Sequence, residues 1–260
     1  MNSAASNRAS NRPRTITAAV RRPWLAAARL ILSLTYLCGL LVGWSSSCLG
    51  VDAEVLLRGG TIFDGTGAPG VIGDVAIAGD KVLAVGKFDV GRAGRVIDCT
   101  GLIVTPGFID LHTHSDRSIT QPSLRANLNY LKQGCSTVVT GNCGLGPVDV
   151  GKYFEQLERD GVGSNVIHLA AYGPIRSEGM RNANRRPTAE ELERLKEQTD
   201  RAMRAGAWGM STGLYYSWNT HANVDELAEV ARVVASHGGL YASHIRSESD
   251  GLLESVQEAL

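Results

Sequence analysis

An α/β fold is predicted for this chain: about five β/α units, preceded by a small sheet portion and a signal peptide. Three observations carry that expectation. Beyond residue 103, short apolar strand-like runs alternate with amphipathic segments of helical period, the pattern of parallel strands joined by right-handed crossover helices. Between residues 55 and 105 the apolar runs follow one another directly, broken by glycines, which reads as β-structure. The first fifty residues differ in composition from everything after them.

Residues 1–29 carry six Arg and no acid, residues 30–44 (LILSLTYLCGLLVGW) are apolar, and small residues follow in SSSCLGVDA. A basic n-region, a short h-region and a small-residue cleavage zone make a secretory signal peptide. Cleavage is expected near residue 50, with a periplasmic or extracellular destination. The apolar run is short of the roughly 20 residues of a spanning helix; an uncleaved membrane anchor is the competing reading. Arg21-Arg22 before Pro23-Trp24-Leu25 resembles a twin-arginine signal, and the export route stays open.

Without that segment the electrostatics change. All 26 acids lie beyond residue 50 against 20 bases, a balance of about −6, which speaks against a nucleic-acid surface. Cys38 and Cys48 lie in or beside the signal. Cys99, Cys135 and Cys143 remain, an odd number that closes no disulfide framework.

In the β-rich portion, Ala78-Gly79-Asp80 between apolar runs marks a hairpin turn. The later strands are expected at IVTPGFIDLH, CSTVVTGN, NVIHLAAYG, AWGMSTGLY and GLYASHI. A helix is expected over 123–133, where Leu124, Leu128 and Leu131 share one face, and another around Tyr153, Phe154 and Leu157. Thr188 and Glu191 form a capping box for a third, continued by Leu192, Leu195 and Ala202 to Gly206. Asn223 caps a fourth with the stripe Leu227, Val230, Ala231 and Val234, ended by Gly238. GLLESVQEAL begins a fifth and the chain stops there, with five β/α units started. A closed barrel wants eight such units, and an open doubly wound sheet would need its last helix completed. The chain therefore reads as cut.

In parallel β/α architectures the working residues sit at the C-terminal ends of strands. His112 and His114 close the first such strand in GFIDLHTHSD, Cys143 closes the second in VVTGNCGLG, and His244 closes the fifth in GLYASHIRSE. Four N/S donors on one rim favour Zn²⁺, with the thiol deprotonated on binding. Each residue alone has a plainer role: two polar residues at a strand end, a small buried hydrophobe, a satisfied core histidine. Arg246 follows His244 closely enough to meet a substrate carboxylate, an exposed salt bridge being the duller alternative. His168 inside a strand, His221 on a loop and His237 at a helix end read as non-ligands.

PGFIDLHTHSD, GCSTVVTGNCG, AMRAGAWGMSTGLYY and HGGLYASHIRSE, in this order, resemble the N-acyl-D-amino-acid deacylases (D-aminoacylases) of the amidohydrolase superfamily. GGTIFDGTGAPG fits the same family, and the likeness runs from about Glu54 to the last residue. The resemblance implies a metal-bearing (β/α)₈ barrel with a small β-sandwich built from both chain ends. This chain would then comprise an export segment (1–50), the N-terminal part of the sandwich (51–102) and five units of an incomplete barrel (103–260). The implied activity is zinc-dependent hydrolysis of the amide bond of N-acyl-D-amino acids, a metal-activated water attacking the acyl carbonyl. One tightly bound Zn²⁺ is implied, with a second, weaker position framed by His112 and His114.

Cys143 matches the family's metal-binding cysteine and His244 its fifth-strand histidine. Tyr215 and Tyr216 match a pair of pocket residues, with aromatic rim packing as the plainer reading. The fourth strand, GAWGMSTGL, lacks the lysine with which many superfamily relatives bridge two metals, so a thiolate bridge is the consistent substitute. Ala171-Tyr172-Gly173-Pro174 stands where the family usually shows a Gly-His pair, which puts substrate preference in doubt. The family's sixth-strand histidine ligand and general-base aspartate would lie past Leu260. The competing readings are hydrolysis of another amide, cyclic or dipeptide, and a non-catalytic fragment; the partner is a small molecule, the membrane entering only through an uncleaved signal.

Overall fold

The computed structural model describes residues 50–217 and 219–260. The segment expected to direct export, with Arg21, Arg22, Cys38 and Cys48, falls on residues 1–49, outside the described residues. Among those described, no helix is long and apolar enough to cross a membrane.

Five strands make the first sheet: β1 (Val51–Ile62), β2 (Val71–Ala78), β3 (Lys81–Gly86), β4 (Val90–Asp98) and β5 (Ile103–Val104). Their order is β3-β2-β1-β4, with β5 also on β1. β1/β2 and β2/β3 are antiparallel, whereas β4 and β5 run parallel to β1. The hairpin between β2 and β3 turns through Gly79-Asp80, where the sequence signals it, and Gly79 takes φ 57°, a conformation open to glycine. Leu56 and Ala76 are fully buried and, with Ala53, form a small core.

Parallel strands follow: β6 (Phe108–Asp110), β7 (Cys135–Thr140), β8 (Asn165–His168), β9 (Ala170–Ala171), β10 (Gly209–Gly213) and β11 (Leu240–His244). They pair as β6-β7-β8 and β9-β10-β11. Only Leu169 separates β8 from β9, and its N–H donates to the Thr140 carbonyl at 2.9 Å while the His168 carbonyl accepts from Trp208 N–H at 2.9 Å. The strands thus stand side by side in chain order, all parallel. A doubly wound sheet reverses that order at its switch point, and no reversal occurs among the described residues; nor do these strands close a barrel there.

The helices are α1 (Leu128–Leu131), α2 (Val150–Asp160), α3 (Tyr172–Gly179), α4 (Ala189–Arg204), α5 (Val224–Ser236) and α6 (Leu252–Ala259). α4 carries the expected capping box, the Thr188 side chain accepting from Glu191 N–H and the Glu191 carboxylate from Thr188 N–H. Asn223 caps α5 by accepting from Glu226 N–H at 2.9 Å, and Asp149 caps α2.

Three expectations are corrected. The strand expected over 103–112 is divided at Pro106-Gly107: Ile103–Val104 joins β1 and Phe108–Asp110 joins β7, because proline offers no N–H to a ladder. The helix over 123–133 shrinks to the single turn α1, since Asn127 is left-handed at φ 50° and its buried amide donates to Ser164 Oγ at 2.9 Å. Leu124 and Leu128 are consequently half-exposed. The strand over 165–173 ends at Ala171, and Tyr172 opens α3, with Pro174 in the first turn where a missing N–H leaves no bond unmade.

The main core gathers Tyr172, Ile175, Met180, Leu195, Met210 and Val230 between the helices and the β9–β10 strands. Within it lies an ion pair: Arg176 Nε and Glu226 Oε1 stand 2.6 Å apart, the two side chains 2% and 1% exposed. The Tyr172 hydroxyl donates to the same carboxylate at 2.6 Å, and Arg176 Nη2 donates to the Arg185 carbonyl at 2.6 Å. Removing one partner of such a pair leaves a buried charge unmatched. Glu226→Ala is therefore expected to lower unfolding free energy by about 3–5 kcal/mol, read from urea denaturation. A loss below about 1 kcal/mol, the level of an exposed pair, would contradict the assignment.

Candidate metal centre

The segment after β6 leaves the strand as Leu111-His112-Thr113-His114 and is tied down between the two imidazoles. Thr113 N–H and Oγ1–H both donate to the Val139 carbonyl, at 3.0 and 2.8 Å. The Asn142 amide donates to the same carbonyl at 2.9 Å and approaches the carbonyl of Thr113 at 3.4 Å. With Thr113 held inward, His112 and His114 project together, their ring centroids 5.4 Å apart.

Cys143 arrives from the other side, on the turn after β7. Its backbone is left-handed, φ 56° and ψ 27°, a conformation costing a non-glycine residue about 1–3 kcal/mol and sustained where surroundings over-determine it. Here they do. A Cβ on Gly141 would collide with the Leu169 carbonyl and stand 2.8 Å from His168 Cε1. A Cβ on Gly213 would collide with the Cys143 carbonyl. Ser211 Oγ accepts from Gly144 N–H at 2.9 Å and donates to the Gly141 carbonyl. The turn is thus wedged between the His168-Leu169 segment and β10 and presents the thiol inward, 3.3 Å from His112 Nε2.

The donor atoms of His112, His114 and Cys143 lie within 4.8 Å of one another. Two imidazoles and a thiol suit the tetrahedral zinc set that leaves a fourth position open. Burial pushes the Cys143 thiol above its ordinary value, the Glu248 charge adds to this, and the Tyr216 hydroxyl opposes it. The thiol is therefore held protonated until a cation supplies the opposite charge.

His244 ends β11, in register with Gly213, and so stands on the rim where Gly213 backs Cys143. It is not among the three converging groups. The Tyr216 hydroxyl stands 3.4 Å from His244 Nδ1 and also bonds the Cys143 thiol, which places Tyr216 between them. Tyr215 stacks on the His244 ring at 5.4 Å and is exposed. Arg246 is engaged by the protein: Glu258 accepts from its Nε at 2.7 Å, the Thr220 carbonyl from Nη1 at 2.7 Å, and the Ala222 carbonyl from Nη2. Of its two readings from sequence, the ion pair is the contact present.

His221 is exposed beside Arg186 and Arg246, and His237 pairs with Asp200 at 2.8 Å. His168 is fully buried beneath the Cys143 turn, with Nδ1 2.8 Å from Thr140 Oγ1 and its ring 4.8 Å from that of Tyr153. Tyr172 is core, its hydroxyl on Glu226 of α5. Thr113, Asn142, Ser211 and Glu248 were not singled out from sequence. Asn142 lies inside VVTGNCG and Glu248 four residues after His244, and those spacings were the available signals.

The profile of the Amidohydrolase family matches residues 95–161. A D-aminoacylase from Alcaligenes xylosoxydans xylosoxydans is 32% identical over 228 residues, covering 79% of this chain and 47% of the relative. An N-acyl-D-glutamate deacylase from the same organism is 34% identical over 230 residues, covering 80% and 46%. The crystal structure of the Bordetella bronchiseptica N-acyl-D-glutamate deacylase, complexed with zinc and a phosphonate inhibitor, superposes with a TM-score of 0.74 at 34% identity, covering 80% of this chain and 48% of that one. Mixed α/β fold and likeness place the chain in the amidohydrolase superfamily. Within that superfamily the chain belongs to the D-aminoacylase family. It spans about half the length of the curated relatives it matches.

Burial lowers the His168 pKa to about 4, against an ordinary 6.5. Its Nε2 has no well-formed hydrogen bond, although the Pro147 carbonyl lies near. A group depressed on folding contributes stability fully present above its unfolded pKa and lost as pH falls through the folded one. In the metal-free chain, unfolding free energy should therefore drop by about 3 kcal/mol between pH 6.5 and pH 4 through His168. His168→Asn should remove that part of the acid sensitivity in urea melts at pH 7 and pH 4.5. An unchanged difference between the two pH values would contradict the buried neutral imidazole.

Proposed function

We propose that the protein is a zinc-dependent amidohydrolase that cleaves the amide bond of N-acyl-D-amino acids, releasing a carboxylate and a D-amino acid. The observation that carries this reading is the meeting of His112, His114 and the strained Cys143 at the C-terminal ends of adjacent parallel strands. The sequential strand order supports placing these units in a (β/α)₈ barrel, and the apolar, Arg-rich N-terminal segment supports export from the cytoplasm. The likeness to two deacylases of N-acyl-D-amino acids supports the substrate class.

In this reading Cys143, His112 and His114 would hold the ion, with His244 facing Cys143 across Tyr216. Zinc, when bound, supplies Lewis acidity that polarises the acyl carbonyl and acidifies the attacking water. Thr113 and Asn142 keep the two imidazoles aimed at the thiol. Tyr216 donates or accepts at the rim, beside the reacting groups, and the exposed ring of Tyr215 offers an apolar wall for the acyl chain. Arg246 holds the 219–222 segment against α6.

The test is release of free amino acid from N-acetyl-D- and N-acetyl-L-amino acids by the protein in its full encoded length, before and after chelation. Hydrolysis of the D-series, lost with the metal and restored by zinc, is expected. Cys143→Ala should abolish it together with stoichiometric zinc. Release from neither series by the zinc-loaded protein would refute the assignment.

A further inference from the structure

Both ring nitrogens of His244 have a protein neighbour. Nδ1 faces the Tyr216 hydroxyl, and that hydroxyl reaches Cys143, so the Nδ1 edge is the side toward the thiol. Nε2 stands 3.4 Å from Glu248 Oε1. The gap exceeds a good N–H···O bond by a few tenths of an ångström, a shift open to a carboxylate 70% exposed.

The backbone around Glu248 is anchored on both sides. Ser247 N–H donates to Ser255 Oγ at 3.1 Å, and Ser247 Oγ accepts from Ser249 N–H at 3.3 Å and Gly251 N–H at 3.2 Å. Arg246 is fixed to Glu258 of α6. Glu248 therefore projects toward His244 from a held turn.

An ionised carboxylate only accepts hydrogen bonds, whereas a neutral imidazole carries one N–H and one lone pair. Pairing with Glu248 places the N–H on Nε2 and leaves the lone pair on Nδ1, toward Cys143. We propose that Glu248 is a positioning residue of the metal centre: it selects the His244 tautomer and ring orientation in which Nδ1 can join the Cys143 thiolate on zinc. Metal-binding histidines use carboxylate partners in this way, and loss of such a partner typically costs 10–100-fold in metal affinity. The proposal rests on the metal-centre reading above and adds the group that prepares its most distant ligand.

The experiment is a zinc titration against a competing chelator on the whole chain, wild type beside Glu248→Ala and Glu248→Gln, with cobalt absorption spectra of each. Glu248→Ala should weaken zinc about 10–100-fold and alter the cobalt d–d bands, while thiolate-to-cobalt absorption persists because Cys143 is untouched. Glu248→Gln, whose amide oxygen still accepts from Nε2–H, should recover most of the affinity. Equal affinity in all three proteins overturns the proposal. Glutamine as weak as alanine also overturns it, because the carboxylate would then be a ligand itself. A wild-type chain that binds no zinc overturns the metal-centre reading and this proposal with it.

Discussion

The candidate site depends on one strained turn. Cys143 holds a left-handed backbone that a cysteine does not choose, and it does so because Gly141 and Gly213 let neighbouring backbone approach where any side chain would collide. The Ser211 hydroxyl then joins both ends of the turn. Strain of this kind is stable only on a rigid support, and the support is the parallel array itself: His168 and Leu169, at the end of β8, lie against Gly141 and β10 lies against Cys143. The thiol is thereby delivered to the two imidazoles that Thr113 and Asn142 hold from the adjacent strand.

Much of this was legible in the sequence, for identifiable reasons. The H-x-H spacing and the glycine-flanked cysteine are local features, and placing both at strand ends required only that the strands be parallel. The capping box at Thr188 and the Asn223 cap are equally local, and both form as written. What could not be read were effects of long-range contact. Asn127 breaks the helix over 123–133 because its amide finds Ser164, 37 residues away. Tyr172 stands where the family usually shows histidine, which suggests a change at the substrate, yet its hydroxyl is bound to Glu226, 54 residues on, in the core. The same holds for Arg246, whose partner Glu258 lies on a helix the sequence showed only as an amphipathic start.

His244 is the instructive intermediate case. Its position at a strand end was correctly foreseen from pattern, and its register opposite Gly213 brings it to the rim beside Cys143. Its ring, however, is governed by side chains that pattern does not reveal: Tyr216 on one nitrogen, Glu248 on the other, Tyr215 stacked against its face. Strand periodicity fixes where a residue emerges, while tautomer and ring direction are decided by neighbours arriving from separate loops. The distinction matters for a metal centre, because a ligand must offer a lone pair as well as an address.

The most direct measurement is X-ray absorption at the zinc edge of the metal-loaded chain. The account predicts a zinc–sulfur shell at about 2.3 Å from one thiolate, together with imidazole nitrogens at about 2.0–2.1 Å, and loss of the sulfur shell in Cys143→Ser. A first shell made of oxygen and nitrogen alone would show that Cys143 does not hold the ion, and the strained turn would then have no metal to serve.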